Sequence, residues 1–231
     1  MKRKLYFSLF PKKCPGCGAL TTLDDLFCEA CAEKLPRIPA ERCEYCGAGK
    51  DDCDCRQQHE KYDSVLAPFY YEGPAKKAML RLKEYPIYAA PLARKCVAVM
   101  REYYASYTFD LVTSVPMAKS KQKQKGFNQS ERLAREIAAL CALPYADCLT
   151  VLYETPAQHS MDYYSRSANV RGIYEVTDES AVKGKHILLI DDIKTTGATL
   201  SECALMLKLA GAASVETLVA ALDRKQQSKG E

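Results

Sequence analysis

The segment whose residues are best suited to bind a ligand joins an apolar run to two acids and a turn of small residues. It reads Ile187-Leu-Leu-Ile-Asp191-Asp192-Ile-Lys-Thr195-Thr196-Gly197-Ala198-Thr199. The apolar run, His186 to Ile190, predicts a buried strand that delivers both carboxylates to its carboxyl end, and a helix is expected to begin near Gly197. Free N–H groups at such a turn can cradle a phosphate, and glycine lets the backbone approach it closely.

Two adjacent carboxylates would repel a phosphate that they faced directly. They are suited instead to accept hydrogen bonds from sugar hydroxyls, while the turn holds the anion. A ribose 5-phosphate satisfies both demands, with its diol on Asp191 and Asp192. The segment is not a Walker A loop, because the required spacing of glycine and lysine is absent.

Cysteines supply the second chemical pattern. Eight of the twelve lie within the first 55 residues, in four close pairs: Cys14 and Cys17, Cys28 and Cys31, Cys43 and Cys46, Cys53 and Cys55. Two thiolates at such spacing can face one ion, so the set can hold one or two structural zinc ions. Disulfides are the competing interpretation, but a cytosolic chain keeps its thiols reduced. The spacing leaves open which pairs share an ion.

The remaining pattern predicts the elements that must position these groups. Short apolar runs that indicate strands alternate with helical periodicity; the strands are expected over 62–71, 110–115, 145–153, 173–176, 186–190 and 215–220. Helices are expected from Gly73, after Pro91, over 127–140 with Asn128 as N-cap, and from Gly197. This alternation predicts an α/β fold with a mostly parallel sheet covered on both faces. We expect two domains, a cysteine-rich module over 1–60 and the α/β domain over 61–231.

Size and composition agree with that division. A chain of 231 residues can hold one sizeable core and a small satellite, and 48% hydrophobic with 27% charged residues is ordinary for a soluble protein. The net charge of +4 does not by itself demand a nucleic-acid partner. No apolar run approaches the roughly 20 residues that span a bilayer, and no signal peptide is evident. We therefore expect a cytoplasmic protein without stable membrane insertion.

The acidic pair followed by the Thr-Thr-Gly turn resembles the type I phosphoribosyltransferase family. That resemblance implies a ligand, 5-phosphoribosyl-1-pyrophosphate (PRPP), whose ribose 2′- and 3′-hydroxyls Asp191 and Asp192 would hold, as the family's catalytic carboxylates. It also implies that Mg²⁺ accompanies PRPP. The 5′-phosphate would be enclosed by Lys194, Thr195, Thr196, Gly197, Ala198 and Thr199.

Further motifs resemble the competence protein F (ComF) family: Ser114-Val-Pro-Met117, Gly126-Phe-Asn-Gln129, the cysteine-rich start, Thr155-Pro-Ala-Gln158 and Arg166-Ser-Ala-Asn169. By that resemblance, a pyrophosphate loop would consist of Ser114, Val115, Pro116 and Met117. A flexible loop over 155–169, with Gln158, Arg166 and Asn169, would close over the site. Lys123 and Lys125 stand where the family usually has arginines. Lysine keeps the positive charge but lacks the planar guanidinium group that binds phosphate oxygens in a bidentate way.

Two functions remain open at this level. The protein could be an active phosphoribosyltransferase of nucleobase or nucleotide salvage, in which a nucleophile attacks C1 of PRPP as pyrophosphate leaves. It could instead bind PRPP and work in DNA uptake during natural transformation, which the ComF resemblance implies, with single-stranded DNA and a competence helicase as partners. The lysines of the run 119–125 could follow a nucleic-acid backbone or neutralise pyrophosphate.

Overall fold

The computed structural model describes residues 12–22, 24–53, 55, 60–152 and 172–224. Its helices are α1 (Glu29–Ala32), α2 (Gly73–Glu84), α3 (Ala89–Tyr103), α4 (Lys119–Lys125), α5 (Gln129–Cys141), α6 (Glu179–Val182) and α7 (Ala198–Leu209). Its strands are β1 (Ser64–Leu66), β2 (Phe69–Tyr70), β3 (Leu111–Ser114), β4 (Leu149–Val151), β5 (Tyr174–Val176), β6 (His186–Lys194) and β7 (Ser214–Leu222). None of the helices described is long and apolar enough to cross a membrane.

A parallel sheet forms the centre of the molecule. Its strand order is β1-β7-β6-β3, and β2 pairs with β7 beyond the end of β1. All pairings in this sheet are parallel, with Leu111 opposite Ile187 and Ile187 opposite Val215. A separate antiparallel ribbon joins β4 to β5. The sheet confirms the predicted α/β class.

Neighbouring residues of β6 point to opposite faces of the sheet, so its apolar run places side chains on both faces, and helices cover both. Leu188 and Ile190 join one buried cluster with Met79 of α2, Leu92 of α3 and Leu133 of α5. Ile187 and Leu189 join the other, in which Leu200, Cys203, Ala204 and Leu207 of α7 are buried. The continuous apolar run of β6 is therefore explained by burial on two sides.

Three elements differ from the sequence-based expectation. The predicted strand 62–71 is divided into β1 and β2, and β6 continues four residues beyond Ile190, to Lys194. The run 119–125 forms helix α4, which ends at Gly126 with φ 86°. This helix was missed because it buries no residue, so no apolar periodicity marks it.

The cysteine-rich modules pack directly on the α/β core. Cys14, Leu26 and Phe27 belong to the same buried cluster as α2, and the Phe27 ring meets the edge of Phe69 at 6.2 Å between centroids. The second module is tied to β2 through Tyr70, whose hydroxyl accepts from Gly49 N at 2.8 Å and donates to Asp52 Oδ2 at 2.6 Å. These contacts extend the central core into both modules.

Two equivalent glycines provide a matched test of this packing. Gly18 and Gly47 each follow a cysteine pair and have φ of 81° and 79°. Space is open around Gly18, whereas a Cβ on Gly47 would lie 3.0 Å from Val65 O and from Leu222 Cδ1. We expect Gly18→Ala to lower the unfolding free energy of the zinc-loaded protein by about 1 kcal/mol, from the positive φ alone.

Gly47→Ala adds a collision with the sheet backbone, so its loss is expected to be about 2–4 kcal/mol. Urea unfolding of both variants in the presence of zinc measures the difference. Equal losses in the two variants would contradict the close packing of the second module on β1 and β7.

Candidate functional site

The acidic pair lies inside β6 and is held by strand pairing. Asp191 is paired with Val219, and the ladder continues to Lys194 opposite Leu222. Both acids are buried, with 9% and 7% of their surface exposed. The strand pairing fixes the backbone of both residues, so the two carboxylates are held before any ligand arrives.

Asp191 is the more enclosed of the two acids. Its Oδ1 accepts hydrogen bonds from Ser130 Oγ at 2.6 Å and from Asp192 N at 2.8 Å. Burial raises the pKa of Asp191 strongly, and the neighbouring charge of Asp192 raises it further, although both hydrogen bonds oppose the shift. Ser130 was not predicted as a site residue, since only the folded chain brings the start of α5 to β6.

Asp192 has an oxygen without a hydrogen bond. Its Oδ1 accepts from Ile193 N at 3.0 Å, whereas the buried Oδ2 has no hydrogen-bond partner in the described part of the chain. Lys83 of α2 lies nearest, with Nζ 3.7 Å from that oxygen. A buried carboxylate oxygen that lacks a donor is suited to receive one from a ligand hydroxyl.

The segment after β3 adjoins the acids. Ser114 is paired with Ile190, and Val115 N donates to Ile190 O at 3.0 Å. Asn128 ties this segment to α5, because its Nδ2 donates to Val115 O at 3.0 Å and its Oδ1 accepts from Ser130 N at 3.0 Å. The predicted N-cap is thereby confirmed. Ser114 and Val115 are buried, while Pro116 and Met117 are half-buried.

The turn after β6 passes into α7 through a glycine in the left-handed conformation. Gly197 adopts φ 85° immediately before α7, and Ala198 N donates to Thr196 Oγ1 at 3.2 Å. A Cβ on Gly197 would lie 3.0 Å from Glu60 Oε1 and 3.1 Å from Lys194 Cε. Glu60, which the sequence did not indicate, thus packs against the turn. Its neighbour Lys61 donates its N–H to Ser201 Oγ at 2.9 Å.

The structure brings together β6, the turn over 194–199 and the segment 114–117. Gln158, Arg166 and Asn169, predicted for a closing loop, lie outside the described residues. Lys125 of the mid-chain lysine run is half-buried, and the charge of Asp192 raises its pKa while burial, the larger effect, lowers it. Lys119, Lys121 and Lys123 are exposed.

The eight N-terminal cysteines form two groups of four. Cys14, Cys17, Cys28 and Cys31 make one, and Cys43, Cys46, Cys53 and Cys55 make the other; in each, all sulfurs lie within 4.8 Å of one another. The Cys17 and Cys28 sulfurs are 3.5 Å apart, and those of Cys46 and Cys53 are 3.7 Å apart. Tetrahedral zinc with thiolate ligands separates sulfurs by about 3.8 Å, so both groups fit structural zinc.

Comparison with known proteins identifies both parts of the chain. Residues 123–231 match the phosphoribosyl transferase domain, and residues 5–62 match the double zinc ribbon domain. A solved adenine phosphoribosyltransferase from Saccharomyces cerevisiae is 11% identical, with a TM-score of 0.39 over 62% of this chain and 81% of that one. The domain matches and the sheet define a phosphoribosyltransferase-type fold preceded by a double zinc ribbon.

Two curated relatives match both parts of the chain together. "DNA utilization protein YhgH" of Escherichia coli is 26% identical over 210 residues, which cover 88% of this chain and 87% of that protein. "Competence protein F" of Haemophilus influenzae is 21% identical over 222 residues, which cover 90% and 96%. Both relatives match along most of this chain, which therefore resembles proteins of the competence protein F type over nearly its whole length.

The raised pKa of Asp191 has a consequence for stability. A carboxyl whose pKa is higher in the folded protein than in the unfolded chain destabilises the fold increasingly as pH rises between those two values. Asp191→Asn keeps an oxygen for Ser130 but cannot ionise. We expect it to raise the unfolding free energy by about 1–3 kcal/mol near pH 8, with little gain near pH 4.

Thermal or urea unfolding at both pH values checks this expectation. A variant destabilised equally at acid and alkaline pH would show that ionisation of Asp191 imposes no cost on the native state.

Proposed function

We propose that this protein binds PRPP, or a related ribose phosphate, at the acidic pair of β6. The observation that carries the proposal is the buried Asp192 Oδ2, which lacks a hydrogen-bond donor within the described residues. The ribose diol would donate to this oxygen and to Asp191. The 5′-phosphate would lie in the turn over 194–199, where Gly197 permits close approach of the backbone.

The pyrophosphate of PRPP would lie beside the segment Ser114 to Met117, which adjoins the acids through β3. The only groups of three or more potential metal ligands found in the described regions are the two cysteine sets. Mg²⁺ would therefore be held mainly by oxygens of the ligand, as this ion prefers. The ion would supply charge neutralisation at the departing pyrophosphate.

The chain's own contribution would be positioning. Strand pairing fixes the acids, and Asn128 fixes both the start of α5 and the backbone after β3. If an acceptor is present, these groups would hold C1 of the ribose for attack. An active phosphoribosyltransferase is accordingly the alternative function, in which a bond between the acceptor and C1 forms as the bond between C1 and the pyrophosphate oxygen breaks.

Calorimetry with PRPP and Mg²⁺ tests the proposed ligand. We expect wild-type protein to bind and Asp192→Asn to lose about tenfold or more in affinity, because an amide offers a weaker acceptor and removes a charge. Asp63→Asn, a change at the opposite end of the sheet, is the matched control and should leave affinity unchanged. No heat from the wild-type protein at millimolar PRPP would contradict the proposal.

The same samples separate the two functions. Pyrophosphate release in the presence of any nucleobase supports the enzyme, whereas binding without release with every nucleobase supports a PRPP-binding protein.

We further propose that the protein acts in DNA uptake or processing. The support comes from relatives named for DNA utilization and competence, and from helix α4. Three of its lysines, Lys119, Lys121 and Lys123, are exposed, whereas Lys125 is half-buried and donates to Gln129 Oε1. The exposed lysines would follow a single-stranded DNA backbone, with a competence helicase as a further partner.

Salt-dependent binding of single-stranded DNA tests this role. Phosphate contacts release counterions, so affinity should fall steeply as salt rises. Changing Lys119, Lys121 and Lys123 together to Gln should weaken binding and reduce the slope of log K against log salt by about 2. The matched control changes Lys50, Lys76 and Lys95 to Gln. A DNA affinity indifferent to salt, or one equally reduced in both triple variants, would contradict the assigned surface.

A further inference from the structure

Lys83 is a cation of the site that none of the sequence motifs includes. It lies in the last turn of α2, and its Nζ is 3.7 Å from the unpartnered Oδ2 of Asp192. A charge-assisted hydrogen bond between these groups would measure about 2.7–2.9 Å. The contact is thus an ion pair longer than a hydrogen bond, and no other partner of Lys83 lies among the described residues. About 38% of the Lys83 side chain is exposed.

A second ammonium, that of Lys125 in α4, interacts electrostatically with the same carboxylate. Lys125 Nζ donates to Gln129 Oε1 at 2.5 Å and lies 5.8 Å from the centre of the Phe127 ring. Burial lowers the pKa of Lys125, the charge of Lys83 lowers it further, and Asp192 opposes both. The charges of Asp192 and Lys83 both act on Lys125, so the two ammonium groups share one electrostatic environment, which would attract a multiply charged anion.

The position of these cations relative to the turn distinguishes two anions of the ligand. The turn over 194–199 leads into α7, which packs on one face of the sheet, whereas Lys83 belongs to α2, which packs on the other face. With the 5′-phosphate in the turn and the 2′- and 3′-hydroxyls on the acids, C1 would lie across the ribose ring from C4 and C5. Its pyrophosphate substituent would then point away from the turn, toward the face that carries Lys83.

We propose that Lys83, together with Lys125, binds the pyrophosphate group of the ligand and makes the site select PRPP over ribose 5-phosphate. This inference rests on the proposed ribose phosphate function. It assigns Lys83 a binding role that is separate from the segment Ser114 to Met117.

Helix α2 is well anchored for this role. Met79 and Leu82 are fully buried on its inner side. Its Lys77 Nζ donates to Gly16 O, between the first two cysteines, at 3.0 Å. A Cβ on Gly16 would lie 3.2 Å from Pro74 Cβ at the start of the helix. The first cysteine cluster therefore fixes the helix that presents Lys83.

The test compares three ligands in the presence of Mg²⁺: PRPP, ribose 5-phosphate and inorganic pyrophosphate. For Lys83→Gln we expect calorimetry to show about tenfold or more weaker binding of PRPP and pyrophosphate, and a change below about twofold for ribose 5-phosphate. Lys83→Arg keeps the charge and should recover part of the affinity. Lys76→Gln, an exposed lysine of the same helix, should affect none of the ligands.

Several outcomes would overturn the assignment. Equal losses of affinity for PRPP and ribose 5-phosphate in Lys83→Gln would mean that Lys83 acts on Asp192 alone. Unchanged affinity for pyrophosphate would mean that Lys83 does not bind the pyrophosphate group. If the proposed ribose phosphate function fails, wild-type protein will not bind ribose 5-phosphate. The role of Lys83 is still tested separately, by comparing the pyrophosphate affinities of wild type and Lys83→Gln. Unfolding curves of each variant establish that the fold is intact.

Discussion

Burying two adjacent carboxylates in a parallel sheet costs free energy, and much of the surrounding structure offsets that cost. Asp191 receives hydrogen bonds from Ser130 and from the backbone of Asp192. Lys83 of α2 lies 3.7 Å from Asp192, and the charge of Asp192 acts on Lys125 of α4. Groups from α5, α2 and α4 thus all act on this one dipeptide and offset the cost of its burial.

The zinc modules take part in this arrangement because they are packed on the core. A module of about 55 residues buries too little apolar surface to fold alone, so metal binding supplies much of its folding energy. The first cluster contacts α2, the helix that carries Lys83, through Lys77 and Gly16. The second is tied to the sheet through Tyr70 and Gly47, and the chain that follows it places Glu60 against Gly197. Each module therefore adjoins one side of the site.

Sequence reasoning agrees with the structure where the signal is local. Four features depend on residues close together in the chain: the acids that follow an apolar run, the glycine turn, the cysteine spacing and the Asn128 cap. The binding roles of the acids and of the turn remain predictions. Sequence reasoning failed for α4, which buries no residue and so has no apolar period. It also ended β6 too early, because the acids interrupt the apolar run although pairing with β7 continues to Lys194. Ladder hydrogen bonds depend on the neighbouring strand, not on side-chain hydropathy.

The amino-acid sequence by itself determined the α/β class, the set of eight cysteines suited to bind zinc, and the acidic pair at the end of an apolar strand. Those properties follow from hydrophobic periodicity and from spacings of a few residues. Only the tertiary structure decided that the cysteine pairs group in chain order, that Ser130 donates to Asp191, that Lys83 lies beside Asp192 and that Glu60 packs against Gly197. Outside the cysteine groups, these contacts join residues that lie 61 to 137 positions from each other in the sequence. No local pattern encodes such distances, because they arise from the packing of separate helices on one sheet.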